Sequence, residues 1–358
     1  MTMNIPITLV DTSRLPSVDF NDLGFGRIFS DHMFSMIHED GRWQEQQIVP
    51  FAPIAMHPAN AGLHYGQSVF EGLKAYRGSD GAVRVFRPDM NAKRLQQSCQ
   101  RMCIPCIDPQ DFIAAIDTLV GLDAAWIPRE RGQALYVRPI VFSDEGHLGV
   151  RTSERFRCLI LTSPVSSLFD TSVKPISLLA EQSYTRSAPG GVGYAKTAGN
   201  YGASLYPAKM GQDKGYQQVL WLDGIEHRYV EEVGAMNIFF RFDGRIVTPD
   251  LRGTILPGVT RDSVLQLLER AGHAIEERRI SIDEVLDGAQ SGELREVFGA
   301  GTAAIIAPVG AIACKDRVQS IANGETGEIT RWLYDQIIGI QHGDIDDTFN
   351  WCHIVEPA

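Results

Sequence analysis

From Phe25 the chain settles into a partial alternation of apolar and polar positions, Arg27 to Ile37, which breaks at Glu39-Asp40-Gly41 and resumes from Trp43 to Val49. That pattern predicts a β-hairpin. The stretch from Leu63 to Arg77 ends as a strand, turns at Ser79-Asp80-Gly81 and returns through Val83-Arg84-Val85-Phe86, a second hairpin. Pro88 then opens a helix through Asn91, Arg94, Leu95, Ser98 and Met102, because proline suits the first helical turn and these positions recur at helical spacing. A further helix over Asp111–Leu122 and strands over 134–142 and 156–162 complete this half.

Pro164 to Val173 lacks periodicity and is rich in small polar residues, so the domain boundary is placed there. Beyond it the pattern predicts a helix from Asn200 to Lys209, interrupted near Pro207, and a hairpin pairing 218–224 with 229–233. Asn237–Phe242 turns at Asp243-Gly244 into Arg245–Thr248. A helix through Val264, Leu267, Leu268 and Ala271 follows Gly258, a strand ends in the turn Gly299–Ala303, and a closing helix covers Trp332–Ile340. Strands and helices without regular βαβ alternation predict an α+β architecture in two domains, 1–163 and 174–358, joined by a linker at 164–173.

The 358 residues are 44% apolar and 22% charged, ordinary globular proportions with a core large enough for two domains. A net charge of −11 argues against a general nucleic-acid or anionic-membrane binder. No apolar run approaches a membrane span, and Asp11 and Asp19 stand where a secretory signal would be apolar, so a cytoplasmic protein is expected. Six cysteines in such a protein do not form a disulfide framework. Cys103 and Cys106 have the spacing of a redox or metal pair, but no second pair or histidine cluster follows. No metal is expected, and Cys99 and Cys103 read as small apolar helix residues.

The chemistry gathers around Gly190–Gly202, where five glycines in thirteen positions surround Lys196, Tyr194 and Tyr201. Glycines let a backbone approach a ligand closely, and apolar company lowers the pKa of an amine, which Schiff-base chemistry with carbonyl compounds requires. Gly258-Val259-Thr260 before a helix and Gly299–Ala303 are two turns able to receive a phosphate, with Arg94 as a possible charged partner. On their own these signals are weak: such a turn is commonly a plain cap, and Arg94 would then lie on a solvated helix face. A carboxylate meeting the pyridine nitrogen of pyridoxal phosphate would keep that ring electron-accepting. Asp223, Glu231 and Glu232 are the candidates. Asp223 reads as a turn residue, and Glu231 and Glu232, adjacent on a strand, should point one to solvent and one inward.

Taken together, Lys196-Thr-Ala-Gly-Asn-Tyr-Gly202, Glu232-Val-Gly-Ala-Met-Asn-Ile-Phe239, Leu256-Pro-Gly-Val-Thr-Arg261 and Phe298-Gly-Ala-Gly-Thr-Ala303 closely resemble the branched-chain amino-acid aminotransferases, fold-type IV pyridoxal-phosphate enzymes. Leu63-His64-Tyr65, Val69-Phe70-Glu71-Gly72, Phe86-Arg87-Pro88 with Asn91 and Arg94, and Tyr136-Val-Arg-Pro139 extend the match over roughly Phe25 to Ile312. The resemblance implies a small α/β domain and a larger β-barrel-like domain with flanking helices, the cofactor lying at their interface. It makes Lys196 the Schiff-base lysine and the general base, carried by the C-terminal domain. Glu232, not Glu231, would meet the pyridine nitrogen, and Tyr201 the phenolic oxygen. Arg94, the amides of Val259 and Thr260, and Thr302 would hold the phosphate, with Arg186 beside the cofactor.

By the same resemblance Tyr65, Phe70, Tyr136 and Arg138 line the substrate pocket, and the Thr302-Ala303 amides receive the substrate carboxylate. The family is homodimeric, so Leu148 and Val150 would reach the partner's pocket. The implied reaction is ping-pong transamination of L-leucine, L-isoleucine and L-valine with 2-oxoglutarate. D-Amino-acid aminotransferases and aminodeoxychorismate lyases share the lysine, glutamate and phosphate turns, but Tyr136-Val137-Arg138 speaks against them. A non-catalytic phosphate-binding module would not be expected to retain Lys196, Glu232 and Tyr201 together. Mammalian-like members carry a redox-sensitive Cys-x-x-Cys after the Gly-Thr-Ala turn; here Ala304 and Ala307 stand there, so that switch is expected to be absent.

Overall fold

The computed structural model describes residues 4–166 and 175–357. The chain divides into two compact units, Met1–Leu168 with Ala195–Ala198 and Ile338–Ala358, and Phe169–Tyr194 with Gly199–Ile337. Lys196 and the C-terminal residues thus group with the first unit, whereas the expected division put them with the C-terminal domain. Of the expected linker, Pro164 and Val165 belong to a strand, and 167–173 lies outside the described residues. Among the described residues, no helix is long and apolar enough to cross a membrane.

In the first unit, β1 (His32–Glu39) and β2 (Arg42–Pro50) form the hairpin, turned on Asp40-Gly41. Both turn residues have positive φ, 53° and 76°, the backbone twist that two-residue hairpins favour. β1 opens later than the alternation predicts because Asp31, just before it, is engaged by Ser13, the Arg14 amide and the Trp126 indole. A short helix the pattern did not show, α1 (Ala61–Tyr65), is capped by the Asn60 side chain and ended by Gly66 at φ 66°. Then come β3 (Ser68–Phe70), β4 (Leu73–Arg77), β5 (Val83–Phe86), α2 (Pro88–Arg101), α3 (Pro109–Leu122), β6 (Ala134–Ser143) and β7 (Phe156–Val165).

The strands of this unit pair antiparallel throughout. Leu135, Val137 and Val141 of β6 pack in one core with Leu95 and Cys99 of α2 and Ile116 and Leu119 of α3. Because neighbours on a strand point to opposite faces, Tyr136 and Arg138 project away from that core. β6 therefore presents Tyr136 and Arg138 together on the face opposite that core.

The second unit contains β8 (Ile176–Ala180), α4 (Ala198–Asp213), β9 (Gln218–Leu222), β10 (Val230–Val233), β11 (Asn237–Phe242), β12 (Arg245–Thr248), α5 (Val259–Arg270), β13 (Ile275–Glu277), α6 (Ile282–Ser291), β14 (Leu294–Gly301), β15 (Ile305–Cys314) and β16 (Arg317–Ser320). They build a nine-stranded sheet ordered β10-β9-β8-β15-β14-β11-β12-β13, with β16 on β15. The β8–β9, β8–β15 and β12–β13 pairs are parallel and the others antiparallel, a mixed sheet. Pro207 does not interrupt α4: it sits buried inside one continuous helix, which forgoes the backbone donor there.

After α7 (Glu328–His342) the chain adds β17 (Cys352–Val355), which pairs antiparallel with β5. The first sheet is then eight strands, β17-β5-β4-β6-β7-β1-β2, with β3 on β6. The architecture is α+β. All six cysteines are free, and Cys103 is not a helical core residue: it lies past the end of α2 at φ 53°, exposed like Cys106, while Cys99 is buried. No cluster of metal-ligating side chains occurs among the described residues.

Candidate active site

In the first unit the lysine segment is stitched to β3 and α2. Thr197 forms an antiparallel bridge with Val69, the Phe70 amide donates to the Lys196 carbonyl at 3.0 Å, and Thr197 Oγ1 donates to the Ser68 carbonyl at 2.7 Å. The Lys196 amide donates to Ser98 Oγ on α2 at 2.9 Å. With its backbone so held, Lys196 points Nζ over the Phe70 ring, 4.8 Å from the centroid. Burial, and next the charge of Arg94, lower its pKa from 10.5 to about 8, against the opposing influence of Glu71.

Phe70 is shared. The Arg138 guanidinium lies 4.7 Å from its centroid and donates to Tyr136 Oη at 2.8 Å. Arg138 and Tyr136 are two apart on β6, so they share a face and form one aromatic and cationic wall with Phe70. Gly72 leaves room for that wall, since a Cβ there would lie 2.3 Å from Tyr136 Oη.

Arg94 is not on a solvated helix face; it is 6% exposed and pairs with Glu71, which has no exposed surface. Arg94 Nε and Nη2 each donate to Glu71 at 2.8 Å, and Asn91 Nδ2 donates to the same carboxylate at 2.7 Å. Burial pushes the Glu71 pKa up, but the Arg94 charge and bonds outweigh it and hold the carboxyl below its ordinary range. Asn91, Arg94 and Ser98 recur at helical spacing and form the polar stripe of α2 beside the lysine. Sequence reasoning placed Glu71 and Asn91 in matching motifs without a role. The available signal was an acid set between Phe70 and Gly72, at the junction of β3 and β4.

In the second unit the paired glutamates depart from simple alternation. Glu231 and Glu232 are both buried, 8% and 3% exposed, and β10 has a register shift between Val230 and Glu232. A covered sheet gives each face a protein neighbour instead of solvent. Glu232 meets Arg186 Nη1 at 2.6 Å, while Glu231 Oε1 accepts from Thr254 Oγ1 at 2.5 Å. Burial raises the Glu231 pKa. Arg186, itself buried, also donates to the Thr254 carbonyl at 3.2 Å, so it is seated on Glu232 by its surroundings. Asp223 is the turn residue expected of it: its carboxylate accepts from the amides of Ile225, Glu226, Arg228 and Tyr229.

Val259 and Thr260 are the first two residues of α5, and the N-cap, Gly258, contributes no side-chain bond. A Cβ at Gly258 would fall 2.0 Å from Asn237 Oδ1, so any larger residue there must displace the Asn237 side chain. Tyr201, half-buried, lies in the first turn of α4, and Thr302 and Ala303, also half-buried, follow β14. In the first unit Tyr65 is 44% exposed and its hydroxyl donates to the Leu148 carbonyl. Leu148 and Val150 are 62% and 85% exposed.

Residues 68–312 match the family described as amino-transferase class IV. The chain is 49% identical over 348 residues to branched-chain-amino-acid aminotransferase 2 of Bacillus subtilis strain 168, covering 97% of this chain and 96% of that protein. It is 46% identical to the branched-chain-amino-acid aminotransferase of Mycolicibacterium smegmatis, over 92% of this chain and 91% of the relative. Among solved structures, the Escherichia coli branched-chain amino acid aminotransferase superposes with a TM-score of 0.75 at 26% identity, covering 91% of this chain and 99% of that one. The Thermobaculum terrenum enzyme in its PLP form superposes with a TM-score of 0.76 at 25% identity, covering 92% and 99%.

Proposed function

The chain belongs to the amino-transferase class IV family, among the branched-chain-amino-acid aminotransferases, and from that premise we propose that it transfers the amino group of L-leucine, L-isoleucine and L-valine to 2-oxoglutarate with pyridoxal phosphate as cofactor. The observation that carries this reading is the buried Lys196, whose amine is held near pKa 8 in a pocket of Phe70, Tyr136 and Arg138. A neutral amine is what covalent attachment to an aldehyde and proton removal both require.

The donor set suits the cofactor. A reactive amine, a buried arginine, an uncapped helix start and a buried carboxylate correspond to its aldehyde, its phosphate and its ring nitrogen. When bound, pyridoxal phosphate supplies an electron sink for the carbanion formed beside the amino group. Lys196 anchors it and moves the Cα proton. Arg94, Thr302 and the amides of Val259 and Thr260 bind the phosphate, and Tyr201 binds the phenolic oxygen. Glu232 holds a proton at the ring nitrogen, and Arg186 keeps that carboxylate in place.

Phe70 and Tyr136 offer an aliphatic side chain apolar surface, while Arg138 and the Tyr136 hydroxyl answer a γ-carboxylate. The Thr302-Ala303 amides take the α-carboxylate. The reading includes alternation of the two substrates by ping-pong kinetics, Tyr65 in the substrate pocket, a homodimer in which Leu148 and Val150 reach the partner's pocket, and a cytoplasmic setting. Six free thiols accord with a reducing compartment.

The test is an assay of L-leucine, L-isoleucine and L-valine with 2-oxoglutarate, beside D-alanine and aminodeoxychorismate. Wild type should transaminate the L-branched substrates and show a visible absorbance band that Lys196→Ala lacks. Absence of turnover with L-leucine would overturn the reading.

A further inference from the structure

A carboxylate with no exposed surface is tolerable only when opposite charge and hydrogen bonds meet its oxygens. Glu71 satisfies that condition with four donors: Arg94 Nε and Nη2 at 2.8 Å each, Asn91 Nδ2 at 2.7 Å, and its neighbour's amide, Gly72 N–H, at 3.2 Å. The arginine is gripped side-on, through Nε and one terminal nitrogen, a planar two-point fork that fixes the guanidinium's tilt as well as its position. Asn91 lies three residues before Arg94 on α2, so the same helix turn that carries the arginine also clamps its counterion.

We propose that Glu71 is a positioning residue for the cofactor: it presets the Arg94 guanidinium for the phosphate group, acting through Arg94 and not by touching the phosphate itself. This rests on the reading that Arg94 receives that phosphate. A flexible arginine loses rotamer freedom each time it binds an anion; one already locked by a buried fork does not, and the difference appears as affinity. Glu71 also belongs to the charge set around Lys196, where Arg94 and Arg138 disfavour the ammonium form and Glu71 and Tyr136 favour it. Removing the carboxylate therefore shifts the lysine's titration toward lower pH.

Equilibrium binding to the full-length chain freed of cofactor tests this, with pyridoxal phosphate and pyridoxal as the two probes. Glu71→Gln should weaken pyridoxal phosphate about 10-fold or more and leave pyridoxal, which lacks the phosphate, nearly unchanged. Adding Glu71→Gln to Arg94→Ala should bring no further loss, since residues acting as one unit are not additive. The pH midpoint of Lys196 reactivity should fall in Glu71→Gln, a shift that a merely structural role would not cause. Wild-type affinity for pyridoxal phosphate in Glu71→Gln, or losses that add in the double variant, would overturn the inference. Failure of the wild-type chain itself to bind pyridoxal phosphate would instead sink the functional reading beneath it. If Glu71→Gln does not fold, Asn91→Ala keeps the ion pair and loosens the clamp. It should give a smaller loss confined to the phosphate-bearing probe, and equal losses for both probes would count against the proposal.

Discussion

The Phe70 amide donates to the Lys196 carbonyl at 3.0 Å, and the Lys196 ammonium lies over the Phe70 ring at 4.8 Å, so one residue of β3 both fixes the lysine's backbone and desolvates its amine. The lowered pKa comes from that burial and next from the Arg94 charge, on a backbone that β3 holds in place. A lysine on a free glycine-rich loop would keep its amine in water.

That pairing has a pH consequence. The Lys196 pKa is about 8 in the folded chain against an ordinary 10.5, so between those values the unfolded chain binds the extra proton. This group's contribution to stability therefore rises with pH through that window and is unfavourable below it. Lys196→Met should melt higher than wild type below pH 8, and the gap should narrow toward pH 10.5 in a series of thermal melts. Buried Lys74, also lowered to about 8, remains in the variant and keeps part of the slope.

The two adjacent glutamates should respond oppositely to neutralisation. The Glu231 pKa is raised by burial, so as pH climbs from 4.5 through its folded pKa the unfolded state gives up its proton first and stability is lost. Glu231→Gln keeps an oxygen for Thr254 and should raise the melting temperature at neutral and alkaline pH, with kcat within about 2-fold of wild type. Glu232→Gln strands the buried Arg186 guanidinium and should lower stability by ~3–5 kcal/mol, with kcat down about 100-fold. Melts at several pH values and steady-state kinetics of both variants check this.

Gly72→Ala places a Cβ 2.3 Å from Tyr136 Oη and must displace the tyrosine that Arg138 holds. Forcing a methyl into a packed site costs ~1–3 kcal/mol. Because the Tyr136–Arg138 pair is assigned to the dicarboxylate, kcat/KM for 2-oxoglutarate should drop more than that for the aliphatic 2-oxo acids. Parallel kinetics with the two acid classes decide it, and equal losses would argue against that division of the wall.

Val150 and Leu148 are among the most exposed large apolar residues of the chain, at 85% and 62%. Val150→Asp should leave each chain folded, shift the sedimentation profile toward monomer and reduce kcat/KM. An unchanged dimer with unchanged kinetics would remove these residues from the proposed partner contact.

Local features of the fold were largely legible. Asp40-Gly41 marks the first hairpin turn, Pro88 the start of α2, and Asp243-Gly244 the turn between β11 and β12, because turn and cap chemistry acts over a few residues. The clustered glycines likewise mark the Lys196 segment, and Asp223 is the turn residue that its position predicts. At Pro207 local propensity predicts a break, whereas α4 runs through it as one continuous helix.

The sequence by itself determined which chemistries were available: one lysine in a glycine-rich setting, two turns able to face an anion, and carboxylates and arginines at spacings that matched a family. Tertiary structure alone decided how they are used. Glu71 and Arg94 stand 23 residues apart and meet only because β3 and α2 pack together. Both glutamates of β10 are inside because each sheet face is covered, which no alternation rule anticipates. β17 joins β5 from the far end of the chain through backbone hydrogen bonds that carry no residue-specific signature. Burial, charge pairing and strand order are properties of residues distant in sequence, and the first two set the pKa of Lys196.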